Sequence, residues 1–373
     1  MRYRRFGKTD LPLSIFSLGT MRALESEQVF RQTVSAAVAR GINHLETAQG
    51  YGESEEYLGR LLKSGTLGLR SQLYLTTKIP PMPPAGDMSR QIDRSLERLQ
   101  TDYIDCLAIH GINTPEHLDW FCSGSLQAVQ KALADGRVRH LGFSTHGSQD
   151  LILAAIQTGY FEFVNLHYYY FFQRHAAAVA LAHQQDMGIF IISPADKGGL
   201  LYTPPPRLTD LCQPFSPLAL TYRWLLSDRR ITTLSLGPAS PTELDWPLTV
   251  ADDNEALTAE ETAAIARLEQ QLAVLGRDRC AQCYDCLPCP EAINIPEVLR
   301  LRNLAIAYDM TQFGQYRYQM FENAGHWFPG RKANRCTDCG DCLPRCPENL
   351  DIPTLLRDAD KTLKGPERRR LWS

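Results

Sequence analysis

Ile104-Asp-Cys-Leu-Ala-Ile109 is followed by an amphipathic stretch over 118–135 and then by Val138-Arg-His-Leu-Gly-Phe143. Two short apolar runs separated by a helix-length stretch read as strand, helix and strand, the repeating step of a parallel sheet. The step recurs on both sides. Towards the N-terminus, strands are expected at 14–18, 42–45 and 72–77, with helices at 27–40, 53–62 and 88–99. Towards the C-terminus, strands at 161–166, 188–192 and 232–236 alternate with helices at 150–158, 174–185, 218–226 and 259–272. Eight such units in about 250–275 residues predict an α/β fold, a (β/α)8 TIM barrel. Residues 3–11, turning at Gly7-Lys-Thr-Asp10, read as a hairpin lid over the barrel's bottom. A doubly wound open sheet would want a glycine-rich turn after its first strand, and the chain carries no G-x-G-x-x-G and no P-loop.

The chain has 373 residues, a formal net charge of −3, 44% hydrophobic and 22% charged residues. That is an ordinary globular composition, with room for one large domain and a small one. The charge implies no strongly basic patch and no nucleic-acid partner. No apolar run approaches the roughly 20 residues of a membrane span. Met1-Arg-Tyr-Arg-Arg5 leads into no long apolar region, so a cytoplasmic protein is expected. Arg368-Arg369-Arg370 reads as a solvated end.

Eight of the eleven cysteines fall in two runs. They are Cys280-Ala-Gln-Cys283-Tyr-Asp-Cys286-Leu-Pro-Cys289-Pro290 and Cys336-Thr-Asp-Cys339-Gly-Asp-Cys342-Leu-Pro-Arg-Cys346-Pro347. The second fits the ferredoxin spacing C-x₂-C-x₂-C-x₃-C-P; the first is one residue short before its last cysteine. In that pattern three cysteines wrap one cluster and the fourth ligates the other. One [4Fe–4S] cluster is therefore assigned to Cys280, Cys283, Cys286 and Cys346, and a second to Cys336, Cys339, Cys342 and Cys289. Thiolate zinc needs two pairs of ligands and gives no reason for two Cys-Pro endings. Disulfides do not persist in a reducing compartment. Cys106, Cys122 and Cys212 stand alone and read as core or loop residues. Between the runs, a helix at 295–308 and the aromatics Phe313, Tyr316, Tyr318, Phe321, Trp327 and Phe328 predict a small α-helical ferredoxin-like domain with an aromatic core. The expected domains are 1–272 and 273–373.

In a barrel of this kind chemistry sits at the C-terminal ends of the strands. Those ends carry Glu46 and Tyr51 after the second strand, Lys78 at the third and His110 at the fourth. A phenol with an ammonium beside it, a carboxylate to hold that ammonium charged, and an imidazole to hydrogen-bond a carbonyl oxygen form one coherent set. Such a site accepts negative charge on oxygen and delivers a proton to it, which is what hydride reduction of a carbonyl needs. Singly, each residue has a structural explanation: a satisfied core histidine, an incidental salt bridge, a packing tyrosine. Their register at successive strand ends reverses that balance.

The stretch 42–59, with Thr47-Ala48 and Tyr51-Gly52-Glu53-Ser54-Glu55, resembles the aldo-keto reductase family. So do Thr77-Lys78, residues 102–110, and Gly136-Arg-Val-Arg-His-Leu-Gly-Phe-Ser144. The similarity covers about residues 1–270, and the cysteine tail resembles an iron–sulfur subgroup of the same superfamily. The resemblance implies an NAD(P)H-dependent oxidoreductase acting on small aldehydes or ketones, with NADPH as donor and NADH as the alternative. It implies Tyr51 as proton donor, Lys78 as the group that tunes it and His110 as the orienter of the carbonyl. Glu46 stands where the family has aspartate, one methylene longer and still within reach of Lys78. Ser144, Thr145 or His146, and Asn165 stand where the family holds the nicotinamide carboxamide, with Ser193 nearby in the cofactor set. Gly198 and Gly199, after Lys197, would let backbone approach the pyrophosphate. Around Gly237 and Glu243 the chain lacks the Lys and Arg that many members place on the 2′-phosphate, so other basic residues or a relaxed cofactor preference are expected. The aromatic run 167–172 reads as pocket lining or plain core.

Hydride moves two electrons, whereas a [4Fe–4S] cluster passes one. Three functions follow: a carbonyl reductase whose clusters are structural or sense redox state, an electron-transfer protein whose barrel docks a redox partner such as ferredoxin, or a metal-stapled interaction module. The nearly whole tetrad favours the first.

Overall fold

The computed structural model describes residues 1–83, 85–253 and 256–365, so the arginine-rich end at 368–370 lies outside the described residues. Two compact units divide the chain: Met1–Pro194 with Thr221–Ala256, and Ala195–Leu220 with Leu257 onward.

In the first unit an antiparallel hairpin, β1 (Tyr3–Arg5) and β2 (Pro12–Ser14), precedes eight parallel strands. These are β3 (Phe16–Gly19), β4 (His44–Glu46), β5 (Tyr74–Ile79), β6 (Ile104–Ile109), β7 (Val138–Ser144), β8 (Phe163–Leu166), β9 (Gly188–Ile191) and β10 (Thr233–Leu236). They pair in chain order, and β10 closes on β3 with Leu234 opposite Phe16. The result is the expected TIM barrel. All six residues of β6 are buried, as a strand covered on both faces requires. The hairpin is the expected lid: Phe6, fully buried, lies 5.2 Å from the ring of Phe163 within one apolar cluster with Leu13 and Phe190.

The connecting helices are α1 (Glu27–Ala39), α2 (Ser54–Lys63), α3 (Ala85–Leu99), α4 (Pro115–Trp120), α5 (Leu126–Ala134), α6 (Gln149–Gln157), α7 (Ala176–Gln184), α8 (Pro206–Cys212), α9 (Pro217–Ser227) and α10 (Asp245–Leu248). In α1, Ser26 caps the amide of Val29, and Phe30, Thr33, Val34 and Ala37 recur at helical spacing on its buried face. The single helix expected over 118–135 is instead broken by a wider π turn at Phe121–Ser125. A Cβ on Gly124 would fall 1.4 Å from the carbonyl oxygen of Pro83, so backbone approaches backbone where the helix opens.

The second unit contains α8, α11 (Ala259–Gln271), α12 (Ile295–Tyr308), α13 (Thr311–Tyr318) and α14 (Ile352–Leu363). α11 opens on a capping box between Thr258 and Glu261. α12 is buried along almost its whole length. Around it most of the tail's aromatics make the core: the Tyr308 hydroxyl donates to the carbonyl of Leu268 at 2.7 Å, Tyr318 donates to Asp360 at 2.5 Å, and the Phe321 and Phe328 rings lie 4.6 Å apart, whereas Tyr316 is half-buried and Trp327, expected in this core, is exposed. Among the described residues no helix is long and apolar enough to cross a membrane.

Candidate functional site

Parallel pairing brings Glu46, the last residue of β4, level with Thr76 of β5, two residues before Lys78. His110 follows β6 directly, its amide donating to the carbonyl of Ile79 at 2.7 Å. Tyr51 sits on the turn between β4 and α2, its amide bonded to the carbonyl of Ala48. Lys78 and Glu46 are 2% and 4% exposed and form an ion pair; the ammonium also donates to the carbonyl of Thr47 at 2.9 Å. The Lys78 Nζ lies over the Tyr51 ring, 4.5 Å from its centre. The His110 ring meets the same ring edge-on, with centroids 5.9 Å apart at 86°. Structure therefore gathers all four expected residues.

Their electrostatics differ from the expectation in one respect. Lys78 was expected to draw the Tyr51 phenol down. Burial, with the Glu46 carboxylate adding to it, holds that phenol well above its ordinary value instead. Burial pulls the Lys78 ammonium down, while Glu46 and then Glu55 oppose it. Beneath lies a residue the sequence reading did not single out. His44 is fully buried between Ser17 and Thr76, at 2.6 and 2.7 Å, and burial plus the Lys78 charge push it down to about 3. It is a neutral histidine of the barrel interior.

Ser144 and Asn165 are opposite one another on β7 and β8. The Ser144 hydroxyl accepts from the amide of Gly111 at 3.0 Å. Asn165 is fully buried, and neither its amide nitrogen nor its amide oxygen has a hydrogen-bond partner. The Thr145 hydroxyl is used inside its loop, donating to Ile112 and accepting from Gly147. His146 turns its Nδ1 to His167 Nε2 at 2.9 Å, and the Tyr169 hydroxyl donates to the carbonyl of Ile192 at 2.5 Å. Tyr168 is buried and stacks on Trp224, so much of the aromatic run is core. Ser193 holds a left-handed backbone (φ 52) just beyond β9. Gly237 follows β10, and its carbonyl accepts from Arg22 at 2.7 Å; Arg22 also pairs with Glu243 at 2.9 Å. The sequence reading missed Arg22, although its place after β3 is a strand-end position of the kind that carried the other candidates. Lys197, Gly198 and Gly199 belong to the second unit.

In that second unit a cavity is lined by Cys289, Cys336, Cys339 and Cys342, with Ile293, Ile295 and Leu356. The last cysteine of the first run thus joins the first three of the second. Reciprocally, burial raises the Cys280 thiol and the charges of Cys283 and Cys346 add to that rise, so Cys346 lies near the first run. Burial pushes Cys286 up to about 12. Thiols gathered this way repel as thiolates, and an iron centre offsets that repulsion. Among the described residues no three His, Cys, Asp or Glu side chains converge as a single ion needs. Cys283 and Cys339 are exposed.

The model of the aldo/keto reductase family matches residues 16–270, more than half of the chain. The chain belongs to the aldo/keto reductase family. A 4Fe-4S dicluster domain matches residues 279–351. The family member is 22% identical, over 76% of its length and 94% of the other protein, to the uncharacterized oxidoreductase YqkF of Bacillus subtilis. It is 30% identical to the L-glyceraldehyde 3-phosphate reductase of Escherichia coli and 34% identical to the L-galactose dehydrogenase of Arabidopsis thaliana. Those matches span 40% and 38% of this chain and under half of the relatives, 46% and 47%. In fold it is similar to the aldo-keto reductase AKR11C1 of Bacillus halodurans, with a TM-score of 0.63 at 23% identity over 72% of this chain and 96% of that one. A nicotinamide carboxamide, with one acceptor and two donors, suits this aldo/keto reductase's orphaned Asn165 amide.

Proposed function

We propose that the barrel reduces an aldehyde or ketone at the expense of NADPH, and that the C-terminal unit carries two [4Fe–4S] clusters ligated crosswise between its cysteine runs. The placement of Tyr51 between Lys78 and His110 carries the reading. The nicotinamide, when bound, supplies the hydride. His110 orients the carbonyl, and the Tyr51 hydroxyl, held protonated by burial and by Glu46, gives its proton to the oxygen as negative charge develops there. Lys78, fixed by Glu46, then faces the phenolate that remains, and solvent restores the proton. The products are the alcohol and the oxidised cofactor. Ser144 and Asn165 hold the carboxamide, and Arg22 offers the basic group that residues 236–243 lack. NADH is the alternative donor, since Glu243 already neutralises Arg22.

The domain match ending at 270 and the dicluster match starting at 279 support a boundary near 272, although α11 belongs to the second compact unit. A reducing, cytoplasmic setting keeps the cysteines available for iron. Exposure of Cys283 and Cys339 favours electron exchange with an external redox protein such as ferredoxin as a second reading. Carbonyl-dependent NADPH oxidation by the cluster-loaded protein tests the first; no oxidation with any simple aldehyde, alongside cluster reduction by a ferredoxin, would favour the second.

A further inference from the structure

The two cysteine runs differ by one residue: Cys286-Leu-Pro-Cys289 closes the first and Cys342-Leu-Pro-Arg345-Cys346 the second. The extra residue is an arginine, and it reaches across to the shorter run. Its Nη2 donates to the carbonyl of Pro288 at 2.8 Å, and its Nε donates to the carbonyl of Asp341 at 2.9 Å. Those carbonyls belong to the residues just before Cys289 and Cys342, so one guanidinium fixes the peptide ahead of a cysteine in each run. Arg345 also lines the cavity of Cys289, Cys336, Cys339 and Cys342, and it meets no carboxylate among the described residues. Glu291 is the other charged side chain lining that cavity; its carboxylate makes no hydrogen bond among the described residues and can turn to water. The Asp338 charge next to Cys336 is matched by Arg357. At the first run the side-chain donor is neutral: the Gln282 amide donates to the Cys280 sulfur at 3.2 Å.

A thiolate-bound cluster is anionic and gains further negative charge on reduction, so a cation held at the wall of its cavity favours the reduced form. We propose that Arg345 is a positioning residue for Cys289 and Cys342 and that its charge raises the reduction potential of the cluster they help to ligate. A guanidinium suits both tasks: its planar fork spans two carbonyls at once, and neither carbonyl cancels its charge. The shorter run has no residue at the equivalent place, so the charge acts on one cluster more than on the other. This role rests on the crosswise ligation proposed above.

Reductive titration of the full chain with both clusters loaded, followed by electron paramagnetic resonance, tests this. Cys289→Ser and Cys346→Ser assign the two signals. Arg345→Gln, which keeps a donor and loses the charge, should lower the potential of the Cys336 cluster. At a fixed potential its reduced-to-oxidised ratio should fall about tenfold, which is about 59 mV for a one-electron couple. The other cluster should shift less. Arg345→Lys, which keeps the charge, should hold the wild-type potential. An unshifted or raised potential in the loaded Arg345→Gln variant overturns the proposal. If that variant does not load the Cys336 cluster, Arg345→Lys decides: loading at the wild-type potential upholds the role, and failure to load or a lowered potential overturns it. A wild type with no cluster on Cys336, Cys339 and Cys342 sinks the crosswise ligation and this role together, whereas an unshifted potential sinks the role of Arg345 alone.

Discussion

The Lys78 ammonium sits 4.5 Å from the centre of the Tyr51 ring, over its face, while its hydrogen bonds go to Glu46 and the carbonyl of Thr47. The lysine is thus committed to the carboxylate, and the tyrosine hydroxyl is hydrogen-bonded to no described residue. On the proposed reading, substrate oxygen completes that hydroxyl's bonding.

Glu46→Gln strands a buried ammonium. Breaking such a pair costs about 3–5 kcal/mol. Lys78 would sit further below its ordinary value, so the unfolded chain binds more protons at alkaline pH and the deficit shrinks as pH rises. Denaturant unfolding at pH 7 and 9.5 checks both effects. Glu46→Asp, which keeps the charge, should lose much less.

Asn165 carries the opposite expectation. Its amide is buried and unsatisfied, so Asn165→Leu should stabilise the cofactor-free protein, by roughly 1–3 kcal/mol. NADPH affinity, read by fluorescence titration, should fall at least about tenfold. Unchanged affinity would remove Asn165 from the cofactor site.

His44 makes the barrel acid-sensitive. Below about pH 6.5 the unfolded chain gains a proton that the native histidine refuses until about pH 3. Stability therefore falls as pH drops through that window, by about 2 kcal/mol at pH 5. A His44→Gln variant should show a shallower decline between pH 6.5 and 4.

Crosswise ligation is separable by mutation. Cys289→Ser should disturb the cluster on Cys336, Cys339 and Cys342, and Cys346→Ser the one on Cys280, Cys283 and Cys286. Iron content and the electron paramagnetic resonance of the reduced protein read each loss. If Cys289→Ser instead perturbs only the cluster of its own run, the assignment is wrong.

The eight strands were legible because apolar runs of four to six residues recur at helix-length intervals, and their ends carried Glu46, Lys78 and His110 in register. The π turn at Phe121–Ser125 was not, because the contact of Gly124 with Pro83 is set by tertiary approach. α8, α13 and α14 escaped notice, since short helices among prolines and aromatics carry little periodic signal. Arg22 and Glu243 are far apart in sequence, and closing β10 onto β3 brings their loops together. The rise of the Tyr51 phenol depends on burial, which no residue pattern displays.

The central claim is that Tyr51 supplies the proton. Carbonyl-dependent NADPH oxidation by Tyr51→Phe, with NADPH affinity measured alongside, tests it most directly. The account predicts a fall in kcat of about 10²–10⁴-fold with cofactor affinity unchanged. A variant that turns over like wild type would contradict it.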